Sequence, residues 1–344
     1  MTIKLEEGDC RKIMRRMLMV DRQFHSIVTD PPYHLLSIAK RFGKASLDQG
    51  GSVMDKVRDR ANPHARHAHG FVGQSWDGAD PDGYQIAHDP RLWRMAYDLL
   101  LPGGYCLAFT SPMTGHRMAV AMEDAGFRIH GFIGWAYGSG MPKAHAVGEK
   151  WPGWFHSTQT LKPALEPVYI AQRPPELRPM AANMARHGVG GMNVDGCRVG
   201  EPGNFDAMGV NLTAGGDSGR WPATLAHDGS PAVLAGFPAA KNGDGTGDYF
   251  NSFPPFLYHG KAAKADRAGS DHPTIKPITL IQWLLRLVTP PGGTVLDPFL
   301  GSGTLLEAAY REGFNAVGIE QHPEYVKTCR QRIARLLRSG RDLI

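Results

Sequence analysis

Apolar positions along this chain switch between two periods. The segment Ile3-Lys4-Leu5 reads as a short strand that ends in Glu6-Glu7-Gly8-Asp9. Within 11–20, Ile13, Met14, Met17 and Leu18 recur at helical spacing. Ser26-Ile27-Val28-Thr29 reads as a second strand and runs into Asp30-Pro31-Pro32-Tyr33. Each proline removes a ladder donor, so this strand must end at Asp30 and leave its tip exposed. Further on, the pattern predicts a helix over about 88–100, a strand over 105–110, a helix over about 114–125 and a strand over 127–135. Residues 168–171 are one more strand. Short apolar strands between amphipathic helices predict an α/β fold with a mostly parallel sheet covered on both faces.

Two stretches break the alternation. Residues 34–86 are dominated by Gly, Asp, Arg and His and read as a long, mobile insertion. Residues 176–262 are rich in Gly, Asn, Asp and Pro, as an inserted domain or a set of long loops would be. The alternation resumes near Pro273. A helix follows Pro277, with Ile278, Ile281, Leu284, Leu285 and Val288 on one face. After the turn at Pro290-Pro291-Gly292-Gly293 come a strand over 294–297, a glycine-containing helix entry, a strand over 315–320 and a closing helix over 322–337. The expected organisation is one α/β domain made of 1–175 and 263–344, with 176–262 set into it.

Composition narrows the class. Glycine (42) and proline (26) make up about a fifth of the 344 residues, against about 12% on average, which excludes a helical bundle. No apolar run reaches the length of a membrane span, and acidic residues stand near the N-terminus where a signal peptide would be apolar. The four cysteines (Cys10, Cys106, Cys197, Cys329) lie far apart and form no CxxC pair. A reducing, cytoplasmic setting is expected. The net charge is +5. It is uneven: residues 31–70 hold seven basic and three acidic side chains, and 322–341 hold six and one. The first cluster suits phosphate contact; the second reads as the solvated face of the closing helix.

The segment Asp297-Pro298-Phe299-Leu300-Gly301-Ser302-Gly303-Thr304 falls where a strand meets a helix. Gly301 and Gly303 let the backbone approach a ligand closely. Glu320 ends the next strand, nineteen positions after Gly301, where a carboxylate can accept from two ribose hydroxyls. No Lys follows Gly303, so a phosphate-cradling P-loop is disfavoured. The dinucleotide pattern fails as well, because Leu306 stands at its third glycine position. A ligand with ribose and adenine but no pyrophosphate fits better, and S-adenosylmethionine belongs to that set.

The sharpest signal is Asp30-Pro31-Pro32-Tyr33. The Asp30 carboxylate and the Pro31 carbonyl are adjacent acceptors, and Tyr33 adds an aromatic face. Two acceptors for two hydrogens, with a ring stacked on the heterocycle, can hold a planar exocyclic amine. Such an amine is a poor nucleophile because its lone pair is delocalised. Two accepted hydrogen bonds favour a pyramidal nitrogen, which can then attack a sulfonium methyl directly.

These motifs resemble those of the beta group of DNA amino-methyltransferases, in which the catalytic tetrapeptide precedes the cofactor loop. The resemblance rests on Asp30-Pro31-Pro32-Tyr33, Phe299-Leu300-Gly301-Ser302-Gly303, His272-Pro273-Thr274-Ile275-Lys276-Pro277 and Gly8-Asp9-Cys10. It is strongest over 1–33 and 271–338. It implies a Rossmann-like methyltransferase fold with circularly permuted motif order, S-adenosylmethionine as cofactor and no metal. It also implies duplex DNA as partner, in a group where homodimers are common. Asp at the first tetrapeptide position goes with adenine N6 in that family, and Ser with cytosine N4. By the same resemblance, Asp30, Pro31, Pro32 and Tyr33 are catalytic. Phe299 would pack on the cofactor, and backbone at Gly301, Ser302, Gly303 and Thr304 would face it. Glu320 would hold the ribose, and Asp9, beside Cys10, the adenine amine. His272 and Lys276 would line the methionine side, with Asp297 orienting the charged end.

A base in a duplex must be flipped out to reach such a pocket. Residues 34–86 follow the tetrapeptide directly, and Lys40, Arg41, Lys44, Lys56, Arg58, Arg60 and Arg66 are candidate phosphate contacts. The position of 176–262 makes it the expected target-recognition region. Over 176–271, eight basic and ten acidic residues give a net of −2, and Lys261, Lys264 and Arg267 are the part suited to phosphate. His64, His67 and His69 have no acidic or Cys partner in a ligand pattern, so no metal site is expected.

Overall fold

A computed structural model describes residues 1–33, 85–199, 221–237, 251–252 and 275–339. Strand β1 (Ile3–Glu7) leads into α1 (Cys10–Met19) and β2 (Phe24–Thr29). Asp9 caps α1 by accepting from Arg11 N at 2.8 Å, and the helix buries Cys10, Ile13, Met14 and Met17. In α2 (Pro90–Leu99), Asp89 is the cap and Pro90 opens the first turn. Then follow β3 (Leu100–Phe109), α3 (Gly115–Asp124), β4 (Arg128–Ala136), the hairpin β5 (Lys143–Ala146) and β6 (Phe155–Gln159), and β7 (Leu165–Gln172). After α4 (Met180–His187) come β8 (Leu225–His227), the short α5 (Pro231–Leu234) and β9 (Asn251–Ser252). The chain closes with α6 (Ile278–Val288), β10 (Thr294–Asp297), α7 (Thr304–Glu312), β11 (Asn315–Glu320) and α8 (Pro323–Ser339).

One sheet runs β1-β11-β10-β2-β3-β7-β4-β8-β9. In this sheet strand β7 is antiparallel to both its neighbours, and the sheet's other described pairings are parallel. The mostly parallel α/β sheet expected from the alternation is therefore present, and so is the Rossmann-like fold that the resemblance implies. Apolar side chains pack on both faces. Helices α1, α2 and α3 cover one face, with Ile27, Cys106 and Leu296, and α6 and α7 cover the other, with Val28, Leu107 and Val295. From β10 the chain winds outward through β11 on one side, while β2 leads to β3 on the other. That reversal is a topological switch point, where open α/β sheets bind ligands at the carboxyl ends of their strands. The β10–β2 register (Val295 opposite Ser26, Leu296 opposite Ile27) sets the glycine loop beside the tetrapeptide.

The structure refines three expectations. Strand β3 starts at Leu100 rather than 105. The Pro102-Gly103-Gly104 break is a bulge, across which β2 pairing resumes at Ser26 and Tyr105. The irregular stretch after 176 also joins this body. Asn183 is fully buried; its Nδ2 donates to Pro102 O and Val189 O, both at 2.9 Å, and β8 adds to the sheet beside β4. Finally, α8 is not simply a charged solvated face. Arg332 is 1% exposed and ion-paired with Glu307, which also takes Arg335 at 2.9 Å and Arg311 at 2.6 Å. A three-residue spacing of arginines looks the same in sequence whether or not a buried carboxylate faces it.

Candidate active site

The tetrapeptide leaves β2 at the sheet's carboxyl edge. Asp30 is engaged on both oxygens: Lys276 Nζ donates to Oδ2 at 2.7 Å and the Tyr33 hydroxyl to Oδ1 at 2.9 Å. The Tyr33 carbonyl is held by Thr114 Oγ1 at 2.8 Å. Lys276 is buried, its ammonium 2.8 Å from Glu166 Oε1, 3.1 Å from the Tyr33 hydroxyl and 4.9 Å from the Phe109 ring centre. The Tyr33 hydroxyl also contacts Glu166. It has one proton and stands between two carboxylates, so it donates to one of them at a time. Burial pushes the Glu166 carboxyl above its ordinary range, with Lys276 working against that rise.

Glu166 is a site residue that the sequence does not announce. It lies at the start of β7, the antiparallel strand, which returns to the edge where β2 ends. Its neighbours Leu165 and Pro167 make it read as one polar position in an apolar strand. The usable signal is a carboxylate that the strand's alternation buries without a local partner.

The second half of the site is the glycine loop. Gly301 and Gly303 both have positive φ (56° and 82°), conformations that glycine adopts without strain. Gly301 N donates to Glu320 Oε2 at 2.8 Å, and His322 N donates to Oε1 at 2.7 Å. Burial raises the Glu320 carboxyl, and these backbone donors oppose the rise. The loop is also tied from behind, by Cys329 Sγ to Gly301 O at 3.2 Å and by Arg332 Nε to Ser302 O at 3.0 Å. Ser302 and Thr304 are buried with their hydroxyls 3.1 Å apart, so the loop offers backbone rather than these side chains. Phe299 packs partly buried against the α1 side of the core.

Asp297 joins the two halves. Thr29 Oγ1 donates to its Oδ1 at 2.7 Å and Phe299 N at 3.0 Å. Burial pushes this carboxyl up to about 7, with those two donors opposing. It is a strut between β2 and the loop. Asp9 sits next to Gly8, whose N–H reaches Glu320 O at 2.8 Å, but its carboxylate is taken by the helix cap and by Arg11 Nη2 at 2.6 Å. The Arg11 side-chain hydrogen bond holds Asp9 below the usual carboxylate range. The Cys10 side chain faces the core, and burial raises its thiol to about 12. His272 lies outside the described residues, as do Lys40, Arg41, Lys44, Lys56, Arg58, Arg60, Arg66, Lys261, Lys264 and Arg267.

A family profile described as DNA methylase, whose name joins N6 and N4, matches residues 24–331. Type II methyltransferase M.BglI of Bacillus subtilis is 42% identical over 67 residues, which span 20% of this chain and 19% of that enzyme. Type II methyltransferase M.HindIII of Haemophilus influenzae is 24% identical over 268 residues, 72% of this chain and 69% of its own length. Among solved structures, the M1.HpyAVI–SAM complex aligns over 96% of this chain and 100% of its own, at 18% identity and a TM-score of 0.48.

Proposed function

The chain belongs to the DNA methylase family, and from that premise we propose that it moves a methyl group from S-adenosylmethionine to the N6 amine of an adenine flipped out of duplex DNA. The observation that carries this reading is the junction at the switch point. Asp30 and Tyr33 leave β2 next to the loop that joins Gly301 to Glu320, with Asp297 bridging them through Thr29. An amine held at the tetrapeptide would thus adjoin a nucleoside held at the loop.

The residues suit that cofactor chemically. The Glu320 oxygens accept from backbone N–H groups, Gly301 and His322 closest, and a carboxylate has about four acceptor sites, so acceptor capacity remains for a ribose hydroxyl. When bound, S-adenosylmethionine supplies an electrophilic methyl on a sulfonium. Asp30 and the Pro31 carbonyl accept the two hydrogens of the base's amine and localise its lone pair. The Tyr33 ring replaces part of the stacking lost on flipping, where base–aromatic contact is worth about 1–3 kcal/mol. Lys276 donates to Asp30 Oδ2 and so holds that carboxylate in place as an acceptor. As the nitrogen gains the methyl it must lose a proton, and Asp30 is the adjacent base. The residues 176–262 are proposed to read the target sequence, and the basic residues of 40–66 to contact phosphate.

The choice of adenine rests on Asp rather than Ser at position 30. DNA from cells expressing the chain would be digested to nucleosides and analysed by mass spectrometry. N6-methyladenine is expected, and lost with Asp30→Ala. N4-methylcytosine alone would overturn the choice of base. No methylated nucleoside from the wild type would overturn the enzymatic reading and favour a DNA-binding protein that retains the fold.

A further inference from the structure

The largest grouping of exposed apolar side chains among the described residues lies outside the site. It is on the hairpin between β4 and β7. Trp151 is 59% exposed, Trp154 66% and Phe155 55%, with Met141 at 72% and Leu161 at 85% flanking them. A two-stranded hairpin is marginal in water at best, and aromatics left more than half exposed on one are apolar surface available to a partner. Several large apolar side chains left this exposed on one hairpin point to an interaction surface.

Three observations say what covers it. First, the hairpin rises from the carboxyl edge of the sheet. Its base is the pairing of Trp135 with Glu166 and of Ala136 with Leu165, continued by Tyr137 N to Ala164 O at 3.0 Å. Glu166 is the residue that contacts Lys276 and Tyr33, so the hairpin starts where the catalytic cluster ends. Second, its charge is one-sided. Residues 137–164 contain Lys143, Lys150 and Lys162 against Glu149 alone, and His145 and His156 besides. A second copy of this surface would repel it, whereas a polyanion would not. Third, the tip is built. Val147 N bonds Trp154 O and Trp151 N bonds Gly148 O, both at 3.0 Å, with Trp154 N to Trp151 O at 3.1 Å. Gly148 and Gly153 take the positive φ that this turn requires, and the two indoles meet edge-on at 6.5 Å. Aromatics held in advance lose little freedom on binding. Basic side chains interleaved with fixed aromatic faces match the chemistry of nucleic acid: phosphates and bases.

We propose that the 137–164 hairpin is a DNA-contacting arm, which lays Trp151 and Trp154 against the duplex next to the base taken into the site. This rests on the reading of the chain as acting on DNA. The arm is separate from the residues assigned to sequence reading and from the basic segment that follows the tetrapeptide.

The test uses the full chain, wild type and Trp151→Ser/Trp154→Ser. Equilibrium dissociation constants would be measured for sheared genomic DNA and for S-adenosylmethionine, with thermal melting and sedimentation on the same samples. The double substitution should weaken DNA binding about tenfold or more, in keeping with removal of one or two base–aromatic stacks. Cofactor affinity and melting should not change. Lys150→Gln/Lys162→Gln should lower the slope of log K against log salt by about 0.9 for each phosphate that is no longer neutralised. Unchanged DNA affinity in the tryptophan variant, with the wild type binding normally, overturns the arm alone. If that variant instead turns a dimer into a monomer and still binds DNA, a second copy covers the patch and the proposal fails. A wild type that binds no duplex overturns both this and the reading it rests on.

Discussion

Lys276 Nζ lies 2.7 Å from Asp30 Oδ2, across 246 residues of chain. The same ammonium is 2.8 Å from Glu166 Oε1. One buried cation thus separates two carboxylates at the point where the amine would be held. Like charges at this range strongly disfavour double ionisation. Replacing Lys276 by Met should therefore raise the Glu166 pKa further, because Lys276 opposes its rise on burial, and move the acid limb of the pH–rate profile upward. Leaving buried charge unpaired should also cost about 3–5 kcal/mol of stability. A pH profile identical to that of the wild type, in a variant that still melts cooperatively, would remove Lys276 from the electrostatics of the site.

Tyr33 has two separable parts. Its ring is the proposed stacking surface, and its hydroxyl is the link between Asp30 and Glu166. Tyr33→Phe keeps the ring and should slow methyl transfer about tenfold or somewhat more, as expected for losing a hydrogen bond to a charged group. Tyr33→Ala should be slower still and should weaken the binding of DNA that carries an extrahelical base. Because the hydroxyl and Glu166 act through one contact, Tyr33→Phe with Glu166→Gln should be less harmful than the two losses added together. Single-turnover rates for the four proteins of this cycle decide it; strict additivity would mean that Glu166 acts elsewhere.

What is legible in the sequence is local. Asp30, Tyr33, Gly301 and Glu320 belong to short segments whose chemistry shows in the residues themselves, and the strand–helix alternation locates each at the end of a strand. What is not legible depends on distant strands. Glu166 acquires its role only because β7 runs antiparallel to β3 and brings its first residues back to the edge where β2 ends. Arg332 reads as one of several solvated arginines on a closing helix, until Glu307 and the Ser302 carbonyl come to face it. Asp297 is expected to face the cofactor, and a hydroxyl from a neighbouring strand makes it a strut. Strand β3 is expected to begin only at 105 because Pro102-Gly103-Gly104 interrupts the apolar run, and the bulge that carries it back to Leu100 depends on pairing with β2.

Asp297 gives the fold a specific pH dependence. Its unfolded value is near 3.8, and burial raises the folded one to about 7. A carboxyl that is raised on folding favours the folded state fully below its unfolded pKa, and that advantage is lost as pH rises through the folded pKa. This site alone should therefore lower stability between about pH 4 and pH 7, by an amount on the order of a few kcal/mol. In Asp297→Asn the side-chain oxygen can still accept from Thr29 and Phe299, but nothing titrates. The stability difference between variant and wild type, measured by denaturant titration, should swing in favour of Asn as pH rises across that window. A difference independent of pH would show that Asp297 is not the group that titrates there.

The glycine loop is held from behind by α8, and that bracing can be tested apart from the ligand groups. Burial alone would raise the Glu307 carboxyl, but its arginines, Arg332 foremost, hold it below the ordinary range. Arg332→Met removes both the buried ion pair and the donor to Ser302 O. Glu307 keeps Arg311 and Arg335, so the cost should fall toward the lower end of the 3–5 kcal/mol typical of a broken buried pair. The loop should loosen as well, and S-adenosylmethionine should bind about tenfold more weakly even well below the melting temperature. Gly303→Ala tests the same bracing from the other side. A methyl there would come 3.0 Å from Cys329 Sγ, on a backbone at φ 82° that alanine tolerates poorly. Both variants should lose cofactor affinity, while DNA binding without cofactor stays within a factor of two or so. Calorimetric titration of each with S-adenosylmethionine checks this, and wild-type affinity in either would mean that the loop holds its shape without help from α8.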